Sequence, residues 1–193
     1  GFMRIEGRPF AVLANDCQQL GGAIDSSAAD KAANFIEICS AHGLPILSFV
    51  DTPGFMVGPD SEKEGAFRRM GELFKHGARI KTPLVGIILR RGYGLGAMAM
   101  MGGSFVDPIY SASWPNGEFG GMGLEGYVKL GFKKELEAEE TEEKKKALFD
   151  KLVARMYEVG KATEAAAHLE MDAVIDPAST RETILKAFKS FGA

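Results

Sequence analysis

The sequence predicts an α/β domain with parallel strands lying under helical crossovers. Three observations lead there. Short apolar runs alternate with longer amphipathic stretches along the chain. The composition is globular, 46% apolar and 25% charged. Glycine is abundant, 24 of 193 residues, and it clusters where a strand turns into a helix, as in the stretch RRGYGLGAMAMMGG over residues 90–103.

The elements follow in order. Residues 2–5 and 10–14 flank Glu6-Gly7, which reads as a hairpin turn. Leu20-Gly21-Gly22-Ala23-Ile24-Asp25 is a glycine loop, and Ser26 or Ser27 is placed to cap the helix after it. Ala32, Phe35, Ile36 and Cys39 give that helix its apolar face; Gly43 stops it, with Pro45 just beyond. Residues 46–50 form a strand ended by Asp51-Thr52-Pro53-Gly54. Residues 62–80 read as one helix weakened by Gly65, Gly71 and Gly77, and 84–89 as a buried strand. Residues 109–114 form a strand, Pro115-Asn116-Gly117 a turn, and 125–132 a helix. The mixed-charge run 133–146 reads as an exposed helical segment, continuing to about residue 160. Leu148, Leu152 and Met156, with Val153, mark an amphipathic helix that Gly160 ends. Residues 171–175 suit a short strand, and Asp176-Pro177 opens a terminal helix. One domain over residues 1–193 accommodates all of this.

Composition also narrows function. A net charge of -3 gives no basic surface for nucleic acid. No apolar run approaches the ~20 residues that span a bilayer. Two cysteines, Cys17 and Cys39, are not paired as C-x-x-C, which argues for a reducing, cytoplasmic setting and against a metal site. His42, His76 and His168 lie in helical or capping contexts, away from any nucleophile elbow. The chain opens on Gly1 and enters a strand at once, as a piece of a longer protein would. An interface left uncovered by a missing half predicts self-association.

The glycine loops carry the chemistry instead. First-turn amides of a helix have no intrahelical acceptor and favour negative charge. Leu95, Gly96 and Ala97 are therefore candidates for an anion or oxyanion site, and close helix–strand packing is the competing explanation of the same small residues. Ala23, in the second glycine loop, is a candidate for another donor. Two amides converging from separate loops make an oxyanion hole, and losing one such donor costs ~10²–10³ in rate. Gly92-x-Gly94-x-x-Ala97 also fits a loose dinucleotide fingerprint. Its context opposes that reading, because no acidic residue closes a second strand at ~20 residues' distance. Trp114 to Gly123 is an aromatic, glycine-rich loop whose one carboxylate is Glu118.

Taken together, DSSAADKAANFI, FVDTPGFMVGPDSEKEG, RRGYGLGAMAM, SWPNGEFGGMGLEG, ARMYE and VIDP resemble the carboxyltransferase (beta) subunit of biotin-dependent acyl-CoA carboxylases, of the propionyl-CoA and methylmalonyl-CoA type. The resemblance is to the C-terminal crotonase-like domain alone, and it implies a crotonase/ClpP-like ββα superhelix. GYGLGA looks like the helix start of the crotonase oxyanion hole, and GGAID like the loop giving its other amide. One departure stands out: many propionyl-type relatives read Tyr-Gly-Gly-Ala where this chain has Tyr93-Gly94-Leu95-Gly96.

The resemblance implies a mechanism. Carboxybiotin releases CO2, biotin nitrogen takes the α-proton of an acyl-CoA, and the resulting thioester enolate attacks CO2. Backbone amides at Ala23 and at any of Leu95, Gly96 and Ala97 would stabilise the biotin enolate. Gly22, Tyr93, Gly94, Pro53, Gly54 and Phe55 would contact the cofactor. It also implies partners. They are the acyl-CoA, an N-terminal carboxyltransferase domain from another subunit, and a separate biotin carboxyl carrier with its biotin carboxylase. The family assembly is a hexamer, a trimer of dimers. No Ala-Met-Lys-Met segment for biotinylation and no Gly-x-x-x-x-Gly-Lys loop is present, so biotin and ATP chemistry fall to other components. The domain alone is expected to be inactive. Two other functions compete. A crotonase-like hydratase or isomerase would need carboxylates beside the amides, where this chain has Ala97-Met98-Ala99-Met100. A non-catalytic assembly module would not bind biotin.

Overall fold

A computed structural model describes residues 1–192. Strands β1 (Phe2–Ile5) and β2 (Arg8–Ala14) form the expected antiparallel hairpin. Glu6 and Gly7 both take positive φ, the twist that a two-residue hairpin turn requires. Helix α1 (Ser26–Ala41) follows the glycine loop. Its cap is Asp25, whose carboxylate accepts the Ala28 N–H at 2.7 Å, rather than Ser26 or Ser27. Strand β3 (Ile46–Thr52) then runs parallel to β2.

The single helix expected over 62–80 is two: α2 (Pro59–Lys63) and α3 (Ala66–Gly77). Gly65 between them is left-handed, with φ 73°, and breaks the helical path. Strand β4 (Leu84–Tyr93) is longer than its apolar core, because it continues through Arg90 and Arg91 to the start of α4 (Gly94–Met100). Strands β5 (Tyr110–Ser113) and β6 (Glu118–Gly120) both pair with β4, β5 along its first half and β6 along Arg91–Tyr93. The predicted turn at 115–117 separates them.

Helix α5 (Leu124–Gly131) leads into α6 (Lys133–Glu137) and α7 (Glu142–Val159). The charged run expected as one segment is thus broken near residues 138–141, where Thr141 caps α7 by accepting the Lys144 N–H at 3.2 Å. No residue of α7 is buried, as an exposed segment should be. Helix α8 (Ala162–Ala167), strand β7 (Ala173–Val174) and helix α9 (Thr180–Ser190) complete the described chain. Among the described residues no helix is long and apolar enough to cross a membrane.

The sheet order is β1-β2-β3-β4-β5-β7, with β6 beside β4, and every pair but β1–β2 is parallel. Alternation along the central strands sorts the core. Leu47, Val85 and Ile87 face α9, where Phe10 stacks on Phe188 at 5.0 Å between centroids. Ile46 and Leu84 face Ala32, Ala33 and Ile36 of α1 and Leu73 of α3. Both faces are covered, so the strands read as continuous apolar runs. The crossovers deliver the ends of β2, β3 and β4 to one edge, and the loops after them meet there.

Asp25→Ala removes the α1 cap and should cost about 1 kcal/mol. A fall in Tm of about 2–4 °C in thermal unfolding is the expected outcome.

Candidate functional site

Three loops meet where β2, β3 and β4 end. The first is the turn Leu20–Gly22, in which Leu20, Gly21 and Gly22 take φ of 49°, 62° and 88°. At Gly22 a side chain is doubly excluded: φ is left-handed, and a Cβ would collide with the Asp51 carbonyl oxygen. The second loop, residues 52–56, is stitched to the first. Ile24 N–H donates to Gly54 O at 3.0 Å, and Met56 N–H donates to Ile24 O at 2.8 Å. Pro53 sits inside a turn closed by the buried Thr52 hydroxyl, whose oxygen accepts the Gly54 N–H at 3.1 Å. The third loop is the passage from β4 into α4. A Cβ on Gly96 would lie 2.7–2.8 Å from Gly54 C and Cα and Phe55 N, so α4 rests directly on the second loop's backbone.

The structure thus brings Gly22, Ala23, Gly54, Phe55, Gly94 and Gly96 into one neighbourhood. Leu95 is 62% exposed, while Gly96 and Ala97 are buried. With Tyr93 as N-cap, Ala97 is the first residue whose amide has a helical acceptor four residues back. Leu95 and Gly96 supply amides without one. Ala23 differs: its N–H closes the turn onto Leu20 O at 3.1 Å. Beside Ala23 lies a groove of about 520 Å³, floored by Val12, Leu13, Ala28, Ala32, Phe35 and Met100. Residues 95–97 do not line it.

Side chains that the sequence did not single out brace these loops. Asp51, at the end of β3, accepts from Arg90 Nε at 3.0 Å on one carboxylate oxygen and from Arg91 Nε at 2.9 Å on the other. Adjacent strand residues normally point to opposite faces. Here they converge because β4 bulges: Val50 pairs with Ile88, but Thr52 pairs with Gly92. Arg91 reaches on to the Gly21 carbonyl at 2.7 Å. Burial alone would raise the Asp51 carboxyl. The hydrogen bonds from Arg90, Arg91 and Cys17 outweigh it and hold it below the usual aspartate value.

Glu118 also has a defined role. Its carboxylate accepts the Tyr93 hydroxyl at 2.6 Å. Burial first, then that carboxylate, push the Tyr93 hydroxyl well above the usual phenol range, so Tyr93 stays protonated and donates. No sequence pattern marks strand β6, which carries Glu118. The Glu-Phe-Gly triplet is too short for alternation to mark it.

A family model for the carboxyl transferase domain matches residues 1–191. The propionyl-CoA carboxylase beta chain of Saccharopolyspora erythraea is 36% identical over 98% of this chain and 35% of its own length. The methylmalonyl-CoA carboxyltransferase 12S subunit of Propionibacterium freudenreichii subsp. shermanii is 31% identical over 98% of this chain and 36% of its own. A solved single-chain, multi-domain long-chain acyl-CoA carboxylase matches with a TM-score of 0.86 at 52% identity, over 96% of this chain and 18% of that one. The hexameric transcarboxylase 12S, with methylmalonyl-coenzyme A and methylmalonic acid bound, matches with a TM-score of 0.89 at 29% identity, over 99% of this chain and 36% of that one. The fold is the crotonase-like α/β fold of these carboxyltransferases. The chain spans just over a third of the length of the curated relatives it matches.

Two outcomes follow from this geometry. Gly96→Ala must push α4 off the Gly54–Phe55 backbone, at about 2 kcal/mol, whereas Leu95→Ala, which keeps the amide, should stay within about 0.5 kcal/mol; urea unfolding checks both. Asp51, with its folded pKa depressed, contributes stability that is complete above about pH 4 and lost as pH falls through the folded value. The Tm gap between wild type and Asp51→Asn should therefore be widest near neutrality and narrow below about pH 4 in a pH-resolved melting series.

Proposed function

The chain belongs to the carboxyl transferase family, and we propose that it is the C-terminal, biotin-binding half of an acyl-CoA carboxylase carboxyltransferase. Its reaction moves a carboxyl group from carboxybiotin to the α-carbon of an acyl-CoA. The observation that carries this reading is the backbone cradle at the start of α4. Gly94 and Gly96 abut the backbone of Gly121 and of Gly54–Phe55, and the amides of Leu95 and Gly96 stand free of the helix's own acceptors.

That donor set fits a ureido oxygen. The ring is neutral and planar, and it needs close backbone approach and N–H donors rather than a counter-ion. When bound, biotin supplies the carboxyl group and the nitrogen base. The chain's own part is to hold and orient. Leu95 and Gly96 would hold the ureido oxygen with their amides, where the dipole of the first turn favours negative charge. Ala23 is the second donor, its N–H shared between Leu20 O and the ligand in a three-centre bond. Gly22, Pro53, Gly54 and Phe55 shape the wall beside the ring, and Tyr93 fixes the approach to α4.

The partners follow from the same reading. The acyl-CoA and its thioester are held by an N-terminal carboxyltransferase domain, and carboxybiotin arrives on a separate carrier. The working assembly is a homo-oligomer, and the isolated chain is inactive. One finding weighs against a hydratase or isomerase. Of the carboxylates flanking these loops, Asp51 is engaged by two arginines, Glu118 by Tyr93, Asp25 by the Ala28 amide and Asp16 by the Gln18 amide.

Amide NMR titration tests the proposal. Biotin methyl ester should shift Leu95, Gly96 and Ala23, while CoA and NADH leave them in place. Shifts with CoA alone would move the chain to the hydratase class, and shifts with NADH would revive the dinucleotide reading. No response to biotin methyl ester would favour an assembly module.

A further inference from the structure

The loop that carries Ala23 does not hold its own shape. It strings three left-handed residues together, and Leu20 is one of them, where a side chain makes the conformation costly. Within the turn only two backbone bonds close it, Gly22 N–H to Gln19 O at 2.8 Å and Ala23 N–H to Leu20 O at 3.1 Å. Its outward carbonyls are gripped from elsewhere. Gly21 O accepts from Arg91 Nη2 at 2.7 Å. Gly22 O accepts from Asn15 Nδ2 at 3.4 Å, and Asn15 Oδ1 in turn accepts the Asp51 N–H at 3.1 Å.

Peptide planarity turns these grips into orientation. Gly22 O and Ala23 N–H belong to one rigid plane, and Gly21 O and Gly22 N–H to the plane before it. Fixing the two carbonyls fixes the direction of the Ala23 N–H. Of the two grips, Arg91's is the shorter, charge-assisted one. The guanidinium is itself immobilised, with its side chain 24% exposed and Nε on Asp51 Oδ1.

We propose that Arg91 is a positioning residue: anchored on Asp51, it holds the Gly21 carbonyl and so aims the Ala23 amide into the candidate site. Arg90 supplies a natural control. It bonds the same carboxylate, at 2.9–3.0 Å, and feels the Cys17 thiol, but donates to no carbonyl of the loop among the described hydrogen bonds. The two arginines therefore separate holding Asp51 from aiming the loop. Asp51 is the shared anchor, and among the described hydrogen bonds only Arg91 reaches past it to a loop carbonyl.

The proposal rests on the reading of the Ala23 loop as a biotin-facing donor loop, and the experiment keeps the two apart. Arg91→Met and Arg90→Met are compared by amide hydrogen exchange and by titration with biotin methyl ester. Arg91→Met should speed exchange at Gly22 and Ala23 at least about tenfold and weaken biotin methyl ester by about tenfold, the worth of one charge-assisted bond. Exchange in β3 and β4 should not follow, and Arg90→Met should leave both loop readouts within about twofold. Arg91→Lys, a milder change, keeps the charge but cannot span Asp51 and Gly21 with two fork nitrogens, and should fall between them. It carries the comparison if Arg91→Met does not fold. Equal effects of the two arginine variants would overturn the proposal, leaving Arg91 as half of an ion pair. So would unchanged exchange at Gly22 and Ala23. A clear exchange contrast with no biotin binding in the wild type would uphold the positioning role and defeat the biotin reading alone.

Discussion

Asp51 is where three strand ends are tied together. It closes β3, receives both arginines of β4, and through its backbone touches Asn15 beyond β2 and crowds Gly22. Remove the carboxylate and Arg91 loses the anchor from which it reaches the Gly21 carbonyl, while Asn15 and the Ile24–Gly54 bond still hold the loop after β2. The arrangement depends on the β4 bulge. In a regular strand one of Arg90 and Arg91 would point through the sheet, and only one strand end could be tied. The insertion of extra residues between the pairs Val50–Ile88 and Thr52–Gly92 is thus what assembles the site edge.

With the loops fixed from outside, the site itself can be made of backbone. Gly22, Gly94 and Gly96 each sit where a Cβ would strike another chain segment's main chain. Such contacts let these loops pack backbone against backbone. They also remove ionisable side chains from the centre. The Tyr93 hydroxyl, protonated and bound to Glu118, braces β4 against β6 and is unsuited to proton exchange near neutrality. For the proposed reaction, whose base would arrive with its cofactor, fixed donors would be a sufficient protein contribution.

Much of this was legible in the sequence, and the exceptions are instructive. The hairpin at Glu6-Gly7, helix α1, strand β3 and the glycine loops follow from periodicity and turn chemistry. The family resemblance pointed to the loops at residues 20–25 and 93–97 as candidate donor loops. What periodicity could not show were features set by pairing. The residues of β4 past Leu89 look like loop, since Arg-Arg-Gly-Tyr has neither alternation nor apolar run; they are strand because β6 pairs with them. The meeting of Arg90, Arg91 and Asp51 requires a register shift that no local pattern encodes. The break at Gly65 was written in the residue, but helical periodicity on both sides of it outweighed a single glycine.

The two candidate donors are not equivalent, and the difference has a physical consequence. The Leu95 amide has no acceptor in its own helix, and its residue is exposed, so a ligand oxygen there would replace water. The Ala23 amide already has Leu20 O. A ligand can claim only a share of that hydrogen, and the initial gain is smaller. The balance shifts once charge develops on the ligand oxygen, because a three-centre bond strengthens toward the more negative acceptor. Ala23 would then contribute about a tenfold share to binding the neutral ring and more to the charged state that follows. The increment gained in the charged state acts on the reaction beyond affinity, which is the use of binding energy that raises a rate.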